Sequence, residues 1–104
     1  MKIEVKMKLI KVDRTEYFAK WFRKLKDFRT KAIIEVHIDR MEEGNFGTFE
    51  SIGDGVYEKK IDYDPGYRLY CEKKNDKWII LLCGGDKSTQ KADIIKAKHL
   101  KEIL

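Results

Sequence analysis

The run Trp78-Ile79-Ile80-Leu81-Leu82-Cys83 is apolar at every position. A half-buried strand alternates and a surface helix keeps a polar stripe. This run does neither, so it is expected to form a central strand covered on both faces. In a chain of 104 residues such a strand belongs to the middle of one sheet, and helices must pack on a face of that sheet to supply the cover.

The remaining elements arrange themselves around it. Ile3, Val5, Met7 and Leu9 alternate with Lys2, Glu4, Lys6 and Lys8, which predicts a first strand over residues 2–9. Asp13 with Glu16 three residues on offers a helix start, and Phe18, Trp21, Phe22 and Leu25 follow at helical spacing to about residue 26. Asp27 can cap a second helix carrying Ile33, Ile34, Val36, Ile38 and Met41 until Gly44-Asn45 stops it. Gly, Asn and Pro clusters then punctuate strands over 46–52, 56–63, 67–73 and 78–83. The turns at Asp64-Pro65-Gly66 and Asn75-Asp76 should join three of them into an antiparallel meander. Asp86 or Ser88 can start a last helix over 89–104 with Ala92, Ile95, Leu100 and Ile103 inward. The expectation is a single α+β domain spanning residues 1–104, in the order β-α-α-β-β-β-β-α.

Twenty-three Lys and Arg against eighteen Asp and Glu leave a net charge of +5, which favours a polyanionic partner and equally serves solubility. Cys71 and Cys83 lie in apolar runs without CxxC spacing and are expected as reduced core thiols. No stretch approaches the length of a membrane helix, so no membrane role and a cytoplasmic location are expected. A Walker loop, a GxGxxG turn, an HExxH helix and a closely spaced His, Cys, Asp or Glu set are all missing from the sequence, so neither a cofactor nor a metal is expected. His37 and His99 stand apart from each other. Lys59, Lys60, Arg68, Lys73, Lys74 and Lys87 fall on strands or their ends beside Tyr63 and Tyr70. Such a sheet can grip phosphates and stack bases; the same pattern also suits core tyrosines beside a solvated basic face.

Several segments follow one another in a familiar order and spacing, above all Gly44-Asn45-Phe46-Gly47, Pro65-Gly66-Tyr67-Arg68 and Gly84-Gly85-Asp86-Lys87-Ser88-Thr89-Gln90. Together they resemble the addiction module killer family, the HigB-like branch of the RelE/ParE toxin superfamily. The resemblance covers nearly the whole chain after the first strand. It implies a RelE/ParE-like fold: a small antiparallel-rich sheet, an N-terminal helical hairpin and a C-terminal helix. It also implies the toxin of a bacterial type II toxin-antitoxin system, a growth inhibitor neutralised by a cognate antitoxin of helix-turn-helix type. In RNA-cleaving members, the ribosome-bound toxin orients mRNA so that a 2′-hydroxyl attacks the adjacent phosphate without a metal. ParE-like members instead inhibit DNA gyrase without cutting RNA, and a decayed toxin would keep antitoxin binding alone.

By this resemblance Arg68 matches the superfamily's strand arginine, Lys60 a second basic strand position and Lys87 the lysine of the glycine-rich segment; these are the implied catalytic residues. Lys59, Tyr63, Tyr70, Lys73 and Lys74 are the candidate RNA-binding set. Glu58 stands where the well-known RNA-cleaving members carry a lysine, and Thr89 and Asp93 approximately where they carry an arginine and a tyrosine. A common site needs Lys60 and Arg68 on one side of the sheet. A two-residue loop at Pro65-Gly66 would pair Lys60 with Cys71 and send it into the core. An odd-length loop, with Lys60 opposite Tyr70 or Glu72, is therefore expected. Arg68 itself is expected to face solvent.

Overall fold

The computed structural model describes residues 8–104. Its elements are β1 (Lys11–Arg14), α1 (Glu16–Lys24), α2 (Phe28–Glu42), β2 (Phe49–Ser51), β3 (Val56–Ile61), β4 (Tyr67–Asn75), β5 (Trp78–Asp86), a 3-10 turn (Lys87–Thr89) and α3 (Gln90–Ile103). One sheet holds the strands in the order β1-β5-β4-β3-β2. Strands β2 to β5 form an antiparallel meander, and β1 lies parallel along the other side of β5.

The apolar run behaves as its composition requires: Ile79, Leu81, Leu82 and Cys83 are all buried, because helices lie against both faces of β5. On one face Phe18 of α1 and Ile34, Ile38 and Met41 of α2 pack on Ile61, Leu69, Cys71, Ile79 and Leu81. On the other, Ala97 and Leu100 of α3 pack on Val56, Tyr70, Leu82 and Cys83. Burying each large aliphatic or aromatic side chain contributes about 1.5–3 kcal/mol, so each face holds its helices firmly. Both cysteines are free thiols and they sit on opposite faces. Burial pushes both up from the ordinary thiol range, Cys83 to about 12. A single helix cannot span the sheet, however. α3 covers the end of the second face where β3 begins, and the end where β3 finishes stays open.

Local chemistry fixes the element starts. Asp27 caps α2, accepting from the Arg29 N–H at 3.1 Å and the Thr30 hydroxyl at 2.8 Å. The start of α1 differs from expectation: Thr15, not Asp13, is the cap. Its hydroxyl accepts the Phe18 N–H at 3.1 Å and donates to the Leu82 carbonyl at 2.6 Å, pinning the helix to the sheet. Asp13 belongs instead to β1 and accepts the Trp78 indole N–H at 2.8 Å. The expected strand over residues 2–9 lies outside the described residues save for Lys8 and Leu9, which are not in a strand. β2 is shorter than expected, and β4 and β5 run further than expected, to Asn75 and Asp86. The inward stripe of α3 is also shifted, with Ile94, Ala97 and Leu100 facing the sheet and Ile95 71 % exposed.

Candidate phosphate-binding cleft

Residues 62–66 separate the paired Ile61 and Tyr67, a five-residue connection that sets Lys60 directly across from Arg68. Directly opposed residues of an antiparallel pair share a face. The odd length and the shared face agree with the sequence expectation; the partner differs, because the loop is longer than the minimal one that would set Lys60 against Tyr70 or Glu72. Gly66 permits this turn by taking φ +95°, a left-handed conformation costly for side-chain-bearing residues.

Pairing of β4 with β5 then carries the third cation to the same place. Tyr67 opposes Asp86 and Arg68 opposes Gly85, and the Lys87 N–H bonds to the Gly66 carbonyl at 2.9 Å. Pro65-Gly66-Tyr67-Arg68 and Gly84-Gly85-Asp86-Lys87 are thus one structural unit. Asp86 ends the strand by accepting the Ser88 N–H at 2.8 Å, which turns the chain toward α3. Lys60, Arg68 and Lys87 line one open cleft of about 460 Å³ with Tyr67, Asp62 and Asp64. Lys60 and Lys87 are exposed. The expectation for Arg68 is corrected: its side chain is only 12 % exposed, with its Nε 3.7 Å from the Glu58 carboxylate.

Beneath Arg68 lies a carboxylate. Glu58, two residues before Lys60 on β3 and so on the same face, sits 3.7 Å from the Arg68 Nε with its side chain 4 % exposed. The Gln90 amide of α3 donates to the same carboxylate at 3.0 Å. Tyr70 is fully buried beside it, and burial, then the Glu58 charge, push its phenol well above the usual tyrosine range. The two glycines of β5 are explained by their neighbours. A Cβ on Gly84 would lie 2.3 Å from the Trp21 ring of α1, and one on Gly85 would lie 1.8 Å from the Asp93 carboxylate of α3. Gly85 therefore makes room for Asp93, whose carboxylate also accepts from the Thr89 hydroxyl.

No known family's sequence description matches this chain. An uncharacterized protein of Haemophilus influenzae is 47 % identical to it over 95 residues, 91 % of this chain and 96 % of that protein. The chain belongs to the family of that Haemophilus protein. Among solved structures, a mutant of the E. coli toxin RelE in its free state superposes with a TM-score of 0.65 at 19 % identity, covering 92 % of this chain and 99 % of that one. This family member accordingly has the α+β RelE-like fold.

Other sequence-derived site residues scatter. Two are corrected as contact surface: Lys59 is 3 % exposed and Tyr70 is 0 % exposed. Lys59 points to the α1–α2 face, where burial and then the Arg40 charge lower its pKa. Tyr63 is half-buried against the core of that same face. Lys73 is exposed but lies over the rings of Phe46, Phe49 and Tyr57, again on the α1–α2 side. Lys74 pairs with Glu72 at 3.2 Å. Five or six residues along β4, these last two lie roughly 17–20 Å from Arg68. Neither histidine lines the cleft, and among the described residues no three His, Cys, Asp or Glu side chains converge as metal ligands would. Glu58 and Gln90 were the residues whose roles sequence reasoning missed. Their signal was present: Glu58 shares its strand parity with Lys60, and Gln90 closes the glycine-rich motif.

Proposed function

We propose that this protein is the toxin of a bacterial type II toxin-antitoxin pair, of the HigB-like branch, and that it inhibits translation by cutting ribosome-bound mRNA. The observation that supports this reading is the convergence of Lys60, Arg68 and Lys87 on one open cleft. Transesterification within RNA needs cations facing the charge that develops on the phosphoryl oxygens, and proton exchange at the attacking and leaving oxygens. The 2′-oxygen forms a bond to the adjacent phosphorus as the bond to the 5′-oxygen breaks. Arg68 grips two phosphoryl oxygens with its planar fork. Lys60 and Lys87 flank it, one neutralising charge and the other protonating the departing 5′-oxygen. Asp62 and Asp64, on the cleft wall, are the local carboxylates that can take the 2′-hydroxyl proton. A helix-turn-helix antitoxin is the partner this reading requires, with the ribosome and mRNA as targets.

One observation favours a second reading. The Glu58 carboxylate against Arg68 reduces the positive charge offered to a phosphate, as befits a ParE-like gyrase inhibitor that binds without cutting. Induced expression followed by mapping of new 5′ ends in ribosome-bound messages, beside a gyrase supercoiling assay, decides between them. The proposal expects new ends within coding sequence and unaltered supercoiling; intact messages with inhibited supercoiling would reverse the assignment.

A further inference from the structure

The geometry points to Glu58 as a positioning residue for Arg68: it holds the guanidinium by its Nε edge so that the terminal nitrogens face the cleft, and it does not exchange protons with the substrate. This inference rests on the phosphodiester reading of the cleft given above.

Access is the first argument. A proton acceptor must come within about 2.6–3.2 Å of the proton it takes, yet the Glu58 side chain is 4 % exposed and lies behind an Arg68 side chain that is itself 12 % exposed. The substrate meets the arginine first. The second argument is which nitrogen the carboxylate faces. It approaches Nε, leaving the terminal nitrogens of the fork, which make no hydrogen bond among the described residues, to a ligand. Arg68 Nε is buried without a hydrogen-bond partner, and so is the Tyr70 hydroxyl lying near the same carboxylate. A shift of roughly 0.8 Å would bring the Arg68–Glu58 pair to charge-assisted hydrogen-bond distance, so the pair is poised to tighten when a phosphate draws the fork into line.

The third argument is how the carboxylate is held. Gln90 donates to Glu58 at 3.0 Å from the first turn of α3, and the buried Tyr70, directly opposite Glu58 across the strand pair, blocks it from below. Glu58 is thus fixed from two elements before it fixes Arg68. Electrostatics explains why an acid is there at all. Arg68 lies directly across from Lys60, and a buried guanidinium beside a like charge needs a counter-charge. That counter-charge weakens attraction for phosphate while fixing the fork's direction. Misplacement of a catalytic group by about 1 Å costs on the order of a hundredfold in rate, which outweighs the roughly tenfold that one pKa unit of lost attraction represents.

The isosteric Glu58→Gln substitution separates the two effects. It removes the charge while leaving an oxygen that still accepts from Gln90. Three measurements on the purified protein read it. In side-chain nitrogen NMR with a 2′-deoxy RNA oligonucleotide bound, the Arg68 Nε–H signal should be slow to exchange in the wild type and faster in Glu58→Gln. A 2′-deoxy RNA oligonucleotide, which cannot be cut, should bind up to about tenfold more tightly to the variant. Single-turnover cleavage of ribosome-bound mRNA should fall at least tenfold, with the shape of its pH profile kept. A merely structural role would weaken binding and turnover together, and that result overturns the proposal. Unchanged turnover, an Nε–H signal still protected in the variant, or loss of the acid limb of the pH profile, which marks a proton acceptor, also overturns it. If the wild type cuts no RNA, the functional reading above falls, while the Nε–H signal and the oligonucleotide affinity still decide the positioning role. Should Glu58→Gln fold poorly, Gln90→Ala, which removes only the anchor and keeps the charge, should speed Nε–H exchange and slow turnover by a smaller amount while leaving oligonucleotide affinity unchanged; unchanged exchange and turnover in that variant overturn the proposal.

Discussion

Lys59 and Lys60 are adjacent, identical and opposite in every consequence. Lys59 faces the helical hairpin, is 3 % exposed and has its pKa lowered chiefly by desolvation. Lys60 faces the other side, is exposed, and lines the cleft with Arg68 and Lys87. The two faces of the sheet differ in how fully helices cover them. One receives α1 and α2, and a lysine turned under them, as Lys59 is, costs desolvation energy. The other receives α3 at one end only, and at the uncovered end Lys60 and Lys87 stand in solvent, where function can sit. Parity along β3, rather than charge, decides which lysine can work.

The largest expected effect breaks that comparison at Lys60. Lys60→Met should reduce growth inhibition by on the order of a hundredfold, the usual consequence of removing one charge-stabilising donor, while stability changes by less than about 0.5 kcal/mol, as expected for an exposed side chain. Plate counts after induction, with thermal melting as the control, check both halves. Arg68 demands a different variant than its sequence context implies. Arg68→Ala would leave the buried Glu58 unpaired and cost roughly 3–5 kcal/mol, so Arg68→Lys, which keeps the charge and loses the fork, is the cleaner test of phosphate grip.

Next in size are the packing contacts that place the cleft. Gly84→Ala should destabilise by about 1–3 kcal/mol or more, because overpacking a well-filled core is costly and the new methyl would meet Trp21. Gly85→Ala should displace Asp93 and perturb the cleft as well as the fold. Urea unfolding of both variants measures the first effect, and growth inhibition separates the second. Cys83→Ser should cost about 1–3 kcal/mol, because the hydroxyl is buried with the Asp93 carbonyl, 3.9 Å from the present sulfur, too far to accept from it without a shift. The thiols also set an alkaline limit. Their folded-state pKa values are raised, so the folded protein keeps protons that the unfolded chain releases, and stability falls as pH rises through 9 toward 12. A Cys71→Ala, Cys83→Ala double variant should flatten this decline in melts taken between pH 8 and 10.

The smallest effect has the opposite sign. Lys59→Met should stabilise by about 1 kcal/mol, roughly 4–8 °C in Tm, by removing a buried charge. Since burial depresses the Lys59 pKa below 10.5, the unfolded chain binds the proton more tightly, and Lys59's contribution to stability rises with pH across the interval below 10.5. That rise should be absent from Lys59→Met.

Much of this arrangement was legible in the residues. Apolar monotony announced the central strand, Asp27 and Gly44 bounded α2, and the parity of Lys60 and Arg68 followed from refusing to bury Lys60. Features that depend on tertiary pairing were not legible. β1 has one apolar residue, Val12, and is a strand because β5 offers it a parallel edge and Trp78 bonds to Asp13. The phase of α3 differs from expectation because Ile95 and Ile103 compete with Ile94 and Ala97 for the inward stripe, and packing against Val56, Tyr70, Leu82 and Cys83 decides. Glu58 stood out in the sequence as an acid in a lysine's place. That it lies under Arg68 required the register, which the five-residue loop sets.

The most direct test of the cleft compares the wild type, Lys60→Met and Lys59→Met in one assay, the single-turnover cleavage of mRNA on purified ribosomes. The account predicts cutting by the wild type and by Lys59→Met at similar rates, with Lys60→Met slower by on the order of a hundredfold. Equal cutting by Lys60→Met, or a loss confined to Lys59→Met, would place the working surface on the other face and contradict it.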